Sequence, residues 1–190
     1  MKILLASGSP RRKELLETLG HELKVIAPGI PELDESSGLL PEALAVENAR
    51  LKGQWVFKNY GLITCDLILA ADTVVFFGNQ IFGKPTSSAD AAAILTSLSG
   101  TRHKVVTGYC LLNAQGLEKT GHVVSEVWMR DLTAEEISSY VATGECMDKA
   151  GAFAVSGLGG SLIREVSGSI TAIMGLPVEE VLQDARKLCA

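Results

Sequence analysis

Apolar positions along this chain fall into short continuous runs that alternate with stripes of helical spacing, and Gly, Pro and Ser clusters mark the boundaries between them. Ile3 to Ala6 reads as a short buried strand stopped by Ser7-Gly8-Ser9-Pro10. A helix should follow, with Ser9 as N-cap, Pro10 at the first helical position, and Leu15, Leu16 and Leu19 as its apolar stripe. Glu22 to Ala27 alternates as a strand does, and Pro28-Gly29-Ile30-Pro31 ends it. Pro41 to Val56 predicts a helix through Leu44, Leu51 and Trp55, with Glu47, Asn48 and Leu51 as the face turned toward a site. Leu67 to Phe77 is a strand pattern interrupted only by Asp72-Thr73, and Gly78-Asn79 suits a tight hairpin returning through Gln80 to Phe82. Ser88 to Leu98 is an alanine-rich helix closed by Gly100. His103 to Leu112 and Leu117 to Met129 predict two long antiparallel strands, and Thr133 with Glu136 forms a capping box for a helix through Ala142. Ala150 to Val155 reads as a strand, Gly168 to Gly175 as a short strand or loop, and Val178 to Leu188 as a final helix. The whole pattern is α/β, most economically one domain over residues 1–190, with two lobes around a cleft as the alternative.

Composition narrows the function classes. With 190 residues, 47% hydrophobic, 21% charged and six prolines, the chain is ordinary globular protein rather than disordered or fibrous. The net charge of −5 argues against binding nucleic acid or an anionic membrane through a broad basic surface, so any basic feature is a local pocket. No apolar run is long enough to span a membrane, and the expected location is the cytoplasm. Cys65, Cys110, Cys146 and Cys189 lack metal or redox spacing and read as reduced packing residues; His21, His103 and His122 read as structural.

Candidate chemistry concentrates in three stretches. Arg11, Arg12 and Lys13 crowd a helix N-terminus that is already positive, which disfavours them by about 0.3–1 kcal/mol each unless something anionic compensates. A Ser7-Gly8-Ser9 loop with free amides beside those guanidinium groups makes a phosphate site; the plainer alternative is a surface basic cluster. Asp72 stands inside an apolar run, where an unpaired buried carboxylate costs several kcal/mol, so it should meet a cation, a metal or water in a cleft. Lys84, held extended before Pro85, can face Asp72 or a phosphate. The acidic turn around Glu32 and Asp34 is either a solvated loop or a source of carboxylates for a divalent cation. Gly157, Gly159 and Gly160 permit close backbone approach to a ligand, just after Asp148-Lys149.

The blocks LASGSPRRKELL, AADTVV, GKP, LSGTRHKVVTG, GECMDKAGAFAV, SGLGG and MGLPVEE cover nearly the whole chain in order, and together they resemble the Maf family of nucleoside triphosphate pyrophosphatases, once named for an effect on bacterial septum formation. The resemblance implies hydrolysis of a nucleoside triphosphate to the monophosphate and pyrophosphate with a divalent cation, Mg²⁺ or Mn²⁺. It implies an α/β fold with an elongated mixed sheet flanked by helices around a central cleft, similar to inosine-triphosphate pyrophosphatases, and often a homodimer. Carried to this chain, it makes Asp72 the general base, with Glu32 and Lys84 in the catalytic shell and Glu32, Glu47 and Asp72 as metal ligands. An ordinary carboxylate is a weak base for free water, so a metal that lowers the pKa of water is the more credible route. Substrate contacts fall to Ser7, Gly8, Ser9, Arg11, Arg12, Thr73, Asp148, Lys149 and Ser156. Arg11, Thr73 and Asp148-Lys149 are similar to the subtype acting on dTTP and UTP; the subtype preferring 7-methyl-GTP has Trp and Gln where Arg11 and Thr73 stand. Two positions depart from the pattern. Ser156 replaces a Gln, which leaves more room and keeps modified nucleotides in view, and Asn48 replaces a Lys, which keeps a non-hydrolysing nucleotide sensor acting on cell division in view.

Overall fold

One mixed seven-stranded sheet runs through the computed structural model, which describes residues 1–61 and 65–189. In chain order its elements are β1 (Lys2–Ala6), α1 (Pro10–Thr18), β2 (Glu22–Val25), a 3₁₀ turn at Glu35–Ser37, α2 (Pro41–Tyr60), β3 (Leu67–Phe77), β4 (Gln80–Phe82), α3 (Ser88–Leu98), β5 (Arg102–Leu112), β6 (Glu118–Met129), α4 (Ala134–Ala142), 3₁₀ turns at Ala150–Ala152 and Gly157–Leu162, β7 (Ile163–Ser167), α5 (Ile170–Ile173) and α6 (Val178–Leu188). Strand order is β2-β1-β3-β5-β6-β7, with β4 added to β3. β1 is parallel to both β2 and β3, as its helical crossovers require; β3, β5, β6 and β7 are antiparallel.

Register opens a gap beside β3. β1 pairs with β3 only as far as Ala6 opposite Ala70, and β4 begins pairing at Val75 opposite Phe82. Residues 71 to 74 therefore carry neither neighbour on that edge, while β5 continues unbroken on the other. Asp72 and Thr73 lie in this gap, and alternation sends their side chains to opposite faces.

Each face is covered differently. On the Asp72 face, α2 lies on the sheet through Leu44, Ala45, Ala49 and Val56, against Ile68, Ala70, Val74, Val106 and Cys110. Gly108 makes that close packing possible: a Cβ there would stand 2.4 Å from the backbone of Ala45. On the Thr73 face the apolar core has two parts. Leu16 of α1 and Val181 and Ala185 of α6 pack on Leu69, Ala71 and Tyr109, whereas α3 and α4 pack on Val75, Val105 and Val127. Half-buried Thr73 and buried Thr107, opposite each other in register, sit between them.

The element assignments hold with three exceptions. Ala150 to Val155 is a 3₁₀ turn and an extended segment, not a strand; Gly168 to Gly175 contains the single-turn helix α5; and β7 is an additional strand. The capping box at Thr133 is formed in both directions. No helix among the described residues is long and apolar enough to cross a membrane.

Candidate active site

A cavity of about 550 Å³ opens at the gap in the sheet, within the range that holds a small-molecule ligand. Five cationic side chains line it (Arg11, Arg12, Lys52, Lys84, Lys149) against three carboxylates (Glu32, Asp72, Asp148), so an acidic protein carries a locally cationic pocket. Its apolar lining comes from Val75, Val105, Phe153, Ala154, Val155, Ile173 and Met174.

The loop after β1 supplies one wall. Buried Ser7 accepts a hydrogen bond from the Ser9 amide at 3.2 Å and from Arg12 Nη1 at 3.1 Å. Ser9 takes the N-cap position of α1 but makes no side-chain cap bond, and no acidic residue occupies the first turn, so the helix start keeps its donors for something else. Arg12 is held on three sides: Nη1 donates to Ser7, Nε to the Gly175 carbonyl at 2.7 Å, and Nη2 to Thr73 Oγ1 at 3.2 Å. Burial lowers its pKa, opposed by the neighbouring Asp72 and Glu32.

Opposite lies a carboxylate pair bridged by one ammonium. Lys52 Nζ is 2.6 Å from Asp72 Oδ1 and 2.5 Å from Glu32 Oε1. Asn48, one helical turn before Lys52, donates to Asp72 Oδ2 at 3.2 Å. It also pairs with the Leu33 backbone in both directions, accepting from its N–H at 2.8 Å and donating to its carbonyl at 3.0 Å. That two-way amide contact pins the acidic turn to α2 and delivers Glu32 to the site. Burial pushes the Glu32 carboxyl up, but Lys52, Lys84 and Arg12 outweigh it, leaving it below its ordinary value. Lys84 Nζ stands 3.9 Å from Glu32 Oε2.

At the mouth, Arg11 Nη1 reaches Asp148 Oδ2 at 3.3 Å, joining α1 to the segment before the 3₁₀ turn at Ala150. Lys149 donates to Asp148 at 2.6 Å and to the Glu145 carbonyl. Burial raises the Asp148 carboxyl, and Lys149 and Arg11 more than offset that rise. Below Ser156, Glu145 accepts from the Leu158 and Gly159 amides and from Tyr140 Oη.

The structure brings together Ser7, Gly8, Ser9, Arg11, Arg12, Glu32, Asp72, Thr73, Lys84, Asp148, Lys149 and Ser156. Glu47 lies elsewhere: both its oxygens accept from Arg50, at 2.7 and 2.8 Å, and it does not line the cavity. The site-facing side of α2 is Asn48 and Lys52 rather than Glu47 and Leu51, because packing on Gly108 fixes the rotation of the helix. Gly157, Gly159 and Gly160 do not line the cavity either. A Cβ on Gly159 would stand 2.6 Å from the Ala154 carbonyl and 2.7 Å from Tyr140 Oη, so that glycine admits the protein's own atoms. Asn48 lies on the site-facing side of α2, as its sequence position predicts, whereas Lys52 and Thr107 are not among the site residues the sequence predicts. For Lys52 the available signal is its spacing of four from Asn48 on one helix.

A divalent cation fits part of the predicted donor set. Glu32 and Asp72 already converge on a single positive charge, the arrangement from which one or two carboxylates and substrate phosphates hold magnesium. Among the described residues no cluster of three His, Cys, Asp or Glu side chains occurs, and Glu47 does not complete one.

Residues 2–188 match the family described as Maf-like protein. A dTTP/UTP pyrophosphatase of Desulfitobacterium hafniense (strain Y51) is 42% identical over 184 residues, covering 94% of this chain and 82% of that one. A dTTP/UTP pyrophosphatase of Ruegeria sp. (strain TM1040) is 43% identical over 182 residues, covering 95% and 91%. Among solved structures, a HAM1 protein from Coxiella burnetii superposes with a TM-score of 0.52 at 20% identity, covering 100% of this chain and 94% of that one. That likeness is one of fold.

Proposed function

This chain belongs to the Maf family, and from that premise we propose that it hydrolyses dTTP and UTP to the nucleoside monophosphate and pyrophosphate. The observation that carries the reading is the convergence of Arg12, Lys52, Lys84, Glu32 and Asp72 on one cavity of about 550 Å³, together with relatives named dTTP/UTP pyrophosphatase.

Breaking a phosphoanhydride needs neutralisation of phosphate oxygens and a positioned water that gives up a proton as it attacks. Arg12 supplies the first through N–H groups left over from its three protein contacts. Lys52 and Lys84 add point charges on the opposite wall; the Lys52 ammonium has three donors, two of them on Glu32 and Asp72. Asp72 is the proton acceptor for the water, held in place by Lys52 on one oxygen and Asn48 on the other. A divalent cation, held by Glu32 and Asp72, would neutralise phosphate charge and lower the pKa of water there. The apolar lining around Phe153 and Ile173 receives the base and ribose.

Incubating the pure chain with dTTP, UTP, CTP, 5-methyl-UTP and 7-methyl-GTP in Mg²⁺, with product identification, tests the reading. Monophosphate and pyrophosphate in equal amounts from dTTP and UTP are expected. No pyrophosphate from any nucleotide would overturn it, and Asp72→Asn should bind nucleotide while losing turnover.

A further inference from the structure

Thr107 on β5 is fully buried and does not line the cavity, yet its hydroxyl determines what Thr73 offers there. A threonine hydroxyl has one hydrogen to give. Thr107 Oγ1 lies 2.7 Å from the Ala172 carbonyl, which only accepts, so the Thr107 hydrogen points to it. The 2.8 Å contact between Thr73 Oγ1 and Thr107 Oγ1 then has Thr73 as donor. The Thr73 hydrogen is directed into the sheet, and its oxygen receives Arg12 Nη2. What Thr73 presents to the cavity is a lone pair without a hydrogen. The same relay ties Arg12 to both sides of the seam, through Thr73 on β3 and through the segment from Ala172 to Gly175.

We propose that Thr107 is a positioning residue that fixes the polarity of the Thr73 hydroxyl, so that Thr73 takes a hydrogen-bond donor of the nucleotide while phosphate oxygens are left to Arg12. The inference rests on the nucleotide reading of the cavity. In dUTP the donors of that kind are the ribose hydroxyl and the base N3–H; phosphate oxygens at neutral pH only accept.

Calorimetric titration with the α,β-methylene analogue of dUTP, whose bridge adds no hydrogen-bond donor, in Mg²⁺ tests this without turnover. Thr107→Val should weaken binding about tenfold, the scale of one lost hydrogen bond to a charged network, and Thr107→Ser should rescue it to within about twofold. In a Thr73→Val background, Thr107→Val should add less than about threefold, because its effect passes largely through Thr73. The loss caused by Thr73→Val should vanish for whichever analogue, N3-methyl or 3′-deoxy, lacks the donor. A tenfold loss that persists in the Thr73→Val background, a Ser variant as weak as the Val variant, or native binding in Thr107→Val overturns the proposal. So does a Thr73→Val loss that is undiminished with both analogues. Should Thr107→Val lose its cooperative melt, Thr107→Ala carries the same expectations. Analogue binding with these effects, but no pyrophosphate from UTP, leaves the Thr107 proposal standing and overturns hydrolysis; no analogue binding overturns both.

Discussion

Lys52 is 8% exposed and touches two carboxylates, which makes it the residue on which the electrostatics of the site turn. Replacing it by Met keeps the stem and removes the ammonium, leaving Glu32 and Asp72 facing each other without the charge they share. Turnover of UTP in Lys52→Met should fall by about 10²–10³-fold, the usual loss when one preorganised electrostatic contact to a transition state is removed. A steady-state assay showing a loss smaller than about threefold would contradict that role. Asn48 is the complementary case. Its amide bonds to Leu33 mean that Asn48→Ala should act through the acidic turn, raising the Mg²⁺ concentration needed for half-maximal rate while leaving the melting temperature within a few degrees. Asp72 was legible in the sequence because a carboxylate inside an apolar run demands a partner. Lys52 was not, since a lysine on a helix carries no such demand, and only the rotation of α2 on the sheet shows that it is buried.

At the level of elements, the site depends on how closely α2 approaches β5. Gly108→Ala would put a methyl 2.4 Å from the Ala45 backbone, so α2 has to move and take Asn48 and Lys52 with it. The variant should lose about 1–3 kcal/mol in chemical denaturation and most of its activity together; full activity with lowered stability would separate the helix from the site. β5 also carries His103, fully buried, edge-on to the cavity-lining Phe153, with Nε2 lacking a hydrogen-bond partner among the described residues. Burial lowers its pKa from 6.5 to about 4. The unfolded chain therefore binds the proton first, and His103 costs stability as pH falls from about 6.5 toward 4, up to about 3 kcal/mol in all. Melting temperatures of the native chain should fall across that window more steeply than those of His103→Phe; parallel curves would contradict it. Element types were mostly legible because the long strands and capped helices have strong periodic signals. Ala150 to Val155 misled because its apolar pattern suits a strand, yet Gly151 at φ 71° and Ala152 at φ 58° turn the chain left-handed, with the Gly151 amide on the Gly83 carbonyl. β7 was missed because Ile163–Ser167 is a short edge strand with no buried residue to mark it.

Across the whole molecule, charge and core are arranged around the same seam. The chain carries −5, yet five cations and three carboxylates line the cavity, so a highly anionic substrate is drawn by a local field against a repulsive background. With Mg²⁺ fixed, kcat/KM for UTP should fall several-fold as salt rises from about 0.01 to 1 M, where the screening length shrinks from about 30 to 3 Å. A flat profile would mean that the cationic lining does not act on the substrate. Between the two apolar cores on its face, Thr73, backed by Thr107, gives the cavity a polar spot between two packed walls. The convergence of Arg12 and Asp72 on one cavity was only partly legible, because it follows from strand register, which pairs Ala6 with Ala70 and stops there. The most direct test is a crystal structure of the chain with the α,β-imido analogue of dUTP and Mg²⁺. The expected result places the phosphates between Arg12 and the Glu32–Lys52–Asp72 cluster, with the base against Phe153. Phosphates bound away from Arg12, or a nucleotide seated outside this cavity, would contradict the account.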